Sequence, residues 1–96
     1  MKKVHIGVIG AGWWGTSAHI PAIKSHASAE LVAVQSREKA NVQKIARDFE
    51  VKNFYTEVEQ ILALKELDAV IVASTPNVHF AHARAALERG LHVLIE

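Results

Sequence analysis

The sequence predicts an α/β domain: a doubly wound parallel sheet with helices on both faces and strand order 3-2-1-4-5. Two observations carry this. Short apolar, β-branched runs alternate along the chain with stretches of helical periodicity, the mark of successive βαβ units. The first run, VHIGVIG, passes directly into Gly10-Ala11-Gly12-Trp13-Trp14-Gly15, and a glycine turn after a strand lets something approach the backbone closely.

Residues 4–10 suit a buried parallel strand, because both faces of such a strand are covered and its sequence is mostly apolar. Residues 13–26 read as helix, bent or restarted at Pro21, since proline cannot continue the hydrogen-bond ladder. ELVAVQS (30–36) is the second buried strand. Val42, Ile45, Ala46 and Phe49 then recur at helical spacing over about 38–49. NFY (53–55) is a short edge strand, and Thr56 with Glu59 reads as a capping box for a helix carrying Val58, Ile61 and Leu62. DAVIVAS (68–74) is the fourth strand. Asn77 is placed to cap a helix to Arg89 that Gly90 ends, and LHVLI (91–95) closes the sheet. One domain, 1–96, accounts for the chain, and no repeat or linker interrupts it.

Composition narrows the function. Lys and Arg number 11 against 10 Asp and Glu, a net charge of +1, so there is no basic footprint for nucleic acid or a membrane surface. There is no cysteine, which excludes disulfides, thiolate catalysis and Cys-based zinc sites. The basic start and apolar run of MKKVHIGVIGAG resemble a signal peptide, but the run is short and broken by glycines, so it reads as the first strand and the expected location is cytoplasmic.

In a doubly wound sheet the ligand crevice lies at the carboxyl ends of the strands where the order reverses. There the glycine turn would meet the Thr75-Pro76-Asn77 segment that follows strand four. The turn is a G-x-G-x-x-G between a strand and a helix, the context in which that pattern marks a dinucleotide site rather than a packing turn. Gly10 makes the turn, Gly12 admits a pyrophosphate and Gly15 lets the helix pack closely. The N–H groups of Trp13 and Trp14 would face the phosphates with the helix dipole behind them. Either tryptophan can instead be packing, or Trp13 can screen the pyrophosphate and line the substrate side.

A second position decides between cofactors. NAD sites place Asp or Glu at the end of strand two to accept from the ribose hydroxyls. Here the strand ends Gln35-Ser36-Arg37, with no acid before Glu38. Without that carboxylate nothing repels a 2′-phosphate. Ser36 can donate to it, Arg37 can bind it with a fork of donors, and Lys39 is a second cation. This favours NADP, with NAD possible. Serine is also a favoured N-cap, so Ser36 can equally cap the next helix and leave Arg37 in solvent.

Five ordered motifs, VIGAGWWG, HIPA, LVAVxSR, DAVIVASTPNxxH and GLHVLIE, span the chain and resemble the Gfo/Idh/MocA oxidoreductases. The resemblance implies a Rossmann domain that binds NAD or NADP, followed by an α/β domain with an open sheet that supplies most of the substrate pocket. It implies hydride transfer on sugars, polyols, diols or related carbonyl compounds, and a homo-oligomer built through that second domain. Ser74, Thr75, Pro76, Asn77 and His79 would lie by the nicotinamide half of the cofactor, with Glu96 bordering its ribose. The family's fifth strand ends in Glu-Lys-Pro, whose lysine is the usual catalytic residue. Residue 96 is that glutamate, so no catalytic residue is expected within 1–96 and the lysine is expected just after. The same resemblance puts the working histidine in the second domain, not at His79 or His82. No carboxylate pair accompanies the histidines, so no metal site is expected. A non-catalytic cofactor-binding or sensing module is the alternative, and the residues after Glu96 decide between the two. A methyltransferase is disfavoured because its methyl-donor site also wants an acid after strand two.

Overall fold

A computed structural model describes residues 3–12 and 19–95. Trp13, Trp14, Gly15 and Glu96 lie outside the described residues, as does most of the first half of the helix expected over 13–26. The elements are β1 (Val4–Ile9), α1 (Ile20–Ser25), β2 (Ala29–Gln35), α2 (Lys39–Asp48), β3 (Asn53–Tyr55), α3 (Val58–Leu62), β4 (Ala69–Val72), α4 (Pro76–Glu88) and β5 (His92–Ile95). All five strands are parallel and run in the order β3-β2-β1-β4-β5, as the βαβ pattern requires.

Two apolar clusters cover the two faces. Val8, Leu31, Val34 and Ile71 pack with Ile20 and Ile23 of α1 and Val42, Ile45 and Ala46 of α2. Ile9, Val32, Ala33, Val70 and Val72 pack on the other face with Ile61 and Leu62 of α3 and Ala86 of α4. Val32 and Ala33 are adjacent in sequence yet share a face, because β2 carries one extra residue there: Ile6 pairs with Leu31 but Gly7 pairs with Ala33. Such a bulge leaves a carbonyl without its ladder partner. Asn53 Nδ2 supplies one, donating to Val32 O at 2.9 Å.

Several boundaries differ from the sequence reading for identifiable reasons. The α3 capping pair is Glu57 with Gln60, not Thr56 with Glu59: Glu57 N donates to Gln60 Oε1 at 3.2 Å. The Thr56 carbonyl is engaged by the Gln35 side chain, so the chain enters its helix one residue later. Helix α4 is capped at Thr75 rather than Asn77, because Pro76 fits the first turn, where no N–H partner is needed. Gly90 ends α4 as expected, at φ +78°, with Gly90 N on Leu87 O and Leu91 N on Ala86 O. Strand β4 is paired over Ala69–Val72 rather than 68–74, although Asp68 N and Ala73 N still donate to His5 O and Ile9 O. The described part of α1 begins at Ile20, with Pro21 in its first turn.

Candidate functional site

Three strand ends converge on one cleft of about 360 Å³. Gly10 and Gly12 come from the end of β1, Gln35, Ser36, Arg37 and Glu38 from the end of β2, and Ala73, Ser74 and Thr75 from the end of β4. Asn41 of α2 and Val78 and His82 of α4 complete the lining. The cleft sits where the order reverses between β1 and β4, the position at which open α/β sheets bind ligands. A cavity of about 410 Å³ at the other end of the sheet is lined by three lysines and three glutamates. Those charges balance, and none of the singled-out residues lies there.

The two described glycines of the turn are there for different reasons. Gly10 holds φ +77°, and a Cβ on it would fall 2.5 Å from Ser74 Cα and 2.6 Å from Ser74 N. Only glycine lets β1 and β4 end this close. Gly12 has no positive φ, and a Cβ there would meet no described atom within 4 Å. Neither backbone conformation nor packing among the described residues calls for glycine at 12. Gly12 lines the cleft, so the turn fits a group that approaches the backbone from outside.

Gln35, which in the sequence marks only the absence of an acid, holds the turn in place. Gln35 is buried, and its Oε1 accepts from Gly10 N at 2.8 Å while its Nε2 donates to Thr56 O at 2.9 Å. Its backbone carbonyl accepts from Ala11 N at 2.7 Å, and Gly12 N turns back onto Gly10 O at 2.7 Å. All three described N–H groups of the turn are therefore engaged within the protein. Trp13 and Trp14, whose N–H groups the sequence pattern assigns to a phosphate, lie outside the described residues.

At the end of β2 the structure brings Ser36 and Arg37 to the same cleft. Ser36 is 8% exposed and does not cap α2, whose N-cap is Glu38; its Oγ accepts from Asn41 Nδ2 at 2.9 Å. Arg37 is exposed. Asn41 went unnoticed in the sequence, although a polar residue in the first turn of a helix that starts two residues past Arg37 is a signal for it. Lys39 opens α2 but does not line this cleft.

On the opposite wall Ser74 and Thr75 line the cleft, and Ser74 Oγ lies 2.8 Å from His82 Nδ1. Burial lowers the His82 pKa below its usual value, and the neighbouring His79 adds to this. Thr75 Oγ1 donates to Asn77 Oδ1 at 2.6 Å. Asn77 is exposed and does not reach the cleft, and neither does His79, which is half-buried with Nε2 enclosed and unpaired. Pro76 contributes its backbone to the first turn of α4. Among the described residues no three His, Asp or Glu side chains gather as a metal site, and no helix is long and apolar enough to cross a membrane.

Comparison with known proteins gives a consistent result. Residues 4–96 match the Gfo/Idh/MocA family, described as an oxidoreductase family with an NAD-binding Rossmann fold. An uncharacterised oxidoreductase of Synechocystis is 36% identical over 91 residues, covering 95% of this chain and 24% of that protein. A D-xylose 1-dehydrogenase (NADP+) of Haloferax volcanii is 34% identical over 90 residues, 94% of this chain and 27% of its own length. A crystal structure of scyllo-inositol dehydrogenase from Lactobacillus casei, with NAD(H) and scyllo-inositol bound, superposes with a TM-score of 0.89 at 25% identity, covering 98% of this chain and 28% of that one. The chain thus spans about a quarter of the length of these relatives.

Proposed function

Since the chain belongs to the Gfo/Idh/MocA oxidoreductases, with their NAD-binding Rossmann fold, we propose that it is the cofactor-binding part of a dehydrogenase or reductase that prefers NADP. The observation that carries the preference is the end of β2. The last side chain of the strand, Gln35, is consumed by Gly10 and Thr56, while Ser36 and Arg37 reach the cleft that the glycine turn also lines. Arg37 supplies a fork of donors to a 2′-phosphate and Ser36 supplies a hydroxyl. Gly12 leaves the space for the pyrophosphate, and Ser74 and Thr75 border the nicotinamide ribose, with Asn77, His79 and Glu96 placed toward that half by the family resemblance. The bound nicotinamide would supply the hydride-transfer chemistry.

The substrate reading is a sugar, polyol or diol-like compound, supported by relatives named for D-xylose and scyllo-inositol. Catalysis falls to a lysine expected just after Glu96, and assembly to a homo-oligomer built through a further domain. We place the protein in the cytoplasm. Residues 1–96 alone would bind cofactor without turnover. A lysine and proline directly after Glu96 support the enzyme, and their absence supports a cofactor-sensing module.

The test is titration of the full-length protein with NADPH and NADH by calorimetry. NADPH is expected to bind tighter by about 1–3 kcal/mol, the scale of charge-assisted contacts to one phosphate. Ser36→Asp with Arg37→Ala reverses the preference. Equal affinities, or a preference for NADH, refute it. One observation favours NAD instead: Glu38 also lines the cleft and can accept from ribose hydroxyls. On that second reading Glu38→Gln weakens NADH, whereas on the NADP reading it strengthens NADPH by removing a repelling charge.

A further inference from the structure

We infer that Asn41 is a positioning residue for cofactor choice: it fixes the Ser36 hydroxyl as a hydrogen-bond donor toward the cleft. The inference rests on the NADP reading and deepens it. Asn41 Nδ2 lies 3.2 Å from Ala11 O and 2.9 Å from Ser36 Oγ. A backbone carbonyl only accepts, so the amide nitrogen of Asn41, not its oxygen, must face Ala11. That nitrogen then donates its second hydrogen to Ser36 Oγ, and the serine proton has to point elsewhere. No described residue accepts it, and Ser36 is buried apart from the cleft it lines.

The consequence is chemical selectivity. A hydroxyl whose lone pair is taken by an amide offers its proton, and a 2′-phosphate, which accepts on every oxygen, suits that proton fully. A ribose 2′-hydroxyl asks in addition for an acceptor, and Asn41 has occupied one of the Ser36 lone pairs. The same amide ties Ser36 to the carbonyl between the two glycines. It thereby sets the distance between the part of the cleft that reads the ribose phosphate and the part that admits the pyrophosphate.

The experiment measures binding of NADPH and NADH, and of adenosine 2′,5′-bisphosphate and 5′-AMP as probes of the adenosine half, to the full-length protein and its variants. Asn41→Ala is expected to weaken NADPH and the bisphosphate about tenfold, the loss of one charge-assisted contact, and to change NADH and 5′-AMP less than about twofold. In a Ser36→Ala background the same change leaves the NADPH-to-NADH ratio where Ser36→Ala alone put it. Where Asn41→Ala is too unstable to titrate, Asn41→Leu nearly keeps the volume, adds no charge and donates nothing to Ser36, so it must show the same selective loss. Equal weakening of both cofactors would make Asn41 a structural brace and overturn the inference, as would no change in either. A starting protein that binds both cofactors equally would overturn the NADP reading, and the role of Asn41 with it.

Discussion

Alanine at Gly10 and alanine at Gly12 are two residues apart in one turn and should have opposite consequences. At Gly10 the backbone is left-handed, at φ +77°, and an L side chain there costs roughly 1–2 kcal/mol. The added Cβ would also lie 2.5 and 2.6 Å from Ser74 backbone atoms. Rotating a side chain cannot relieve that contact, so β1 and β4 must separate, at about 1–3 kcal/mol by comparison with overpacked cores. Gly10→Ala is therefore expected to lose about 2–5 kcal/mol, a large share of the roughly 5–15 kcal/mol available to a domain. At Gly12 neither term exists among the described residues, and Gly12→Ala should stay within about 0.5 kcal/mol of the starting protein. Urea unfolding followed by circular dichroism measures both. Gly12→Val, with its branched side chain in the open space, should keep the fold and lose cofactor binding. A Gly10→Ala protein less than about 1 kcal/mol destabilised would refute the close-approach argument. A Gly12 variant that unfolds would return that glycine to a packing role.

Gln35→Leu removes the acceptor of Gly10 N and the donor to Thr56 O, and two partly buried groups left unpaired should cost about 2–4 kcal/mol in the same unfolding assay. His82 has its pKa lowered by burial and by His79, while Arg37, Glu57 and Glu59 share the adjoining cleft with it. Between its folded value and about 6.5 the unfolded chain binds the extra proton, so stability should fall as pH drops through that window; His82→Gln should flatten the fall, and an unchanged pH profile would refute it. For residues 1–96 taken alone, if they fold, adenosine 2′,5′-bisphosphate should compete with NADP at nearly equal strength in calorimetry and no turnover should appear. Measurable dehydrogenase activity in that fragment would place catalytic groups inside it.

The sheet was legible because its inner strands β1, β2 and β4 are largely buried and so read as nearly unbroken apolar runs, as DAVIVAS does. Gly10 and Gly90 were legible for a related reason, since left-handed turns leave few residue choices. The element ends were less so. Nothing local to Thr56 reveals that its carbonyl is held by Gln35, 21 residues earlier, and that bond decides where α3 begins. The same limit applies at the site. Ser36 and Arg37 stand out by position relative to the glycine turn, but Asn41 earns its place through Ala11, 30 residues away in sequence. Asn77, expected as the cap of α4, is instead tied to Thr75, and the cap passes to Thr75 because Pro76 takes the first turn of the helix.

The extra residue in β2 sets the phase of everything after it. Counting outward from Leu31 in strict alternation would turn Gln35 toward α2 and Ser36 toward α3. The doubled step at Val32 and Ala33 reverses that parity, so Gln35 reaches Thr56 on the α3 side and Ser36 meets Asn41 on the α2 side. Asn53, on the outermost strand, steadies the odd step through Val32 O. A residue that never touches the cleft thus governs which face each recognition side chain occupies. When the end of β2 is exchanged between relatives to change cofactor, the segment has to be counted back from Ser36 to the bulge, not forward from Ala29; a graft of equal length with regular alternation would deliver the right residues facing the wrong way.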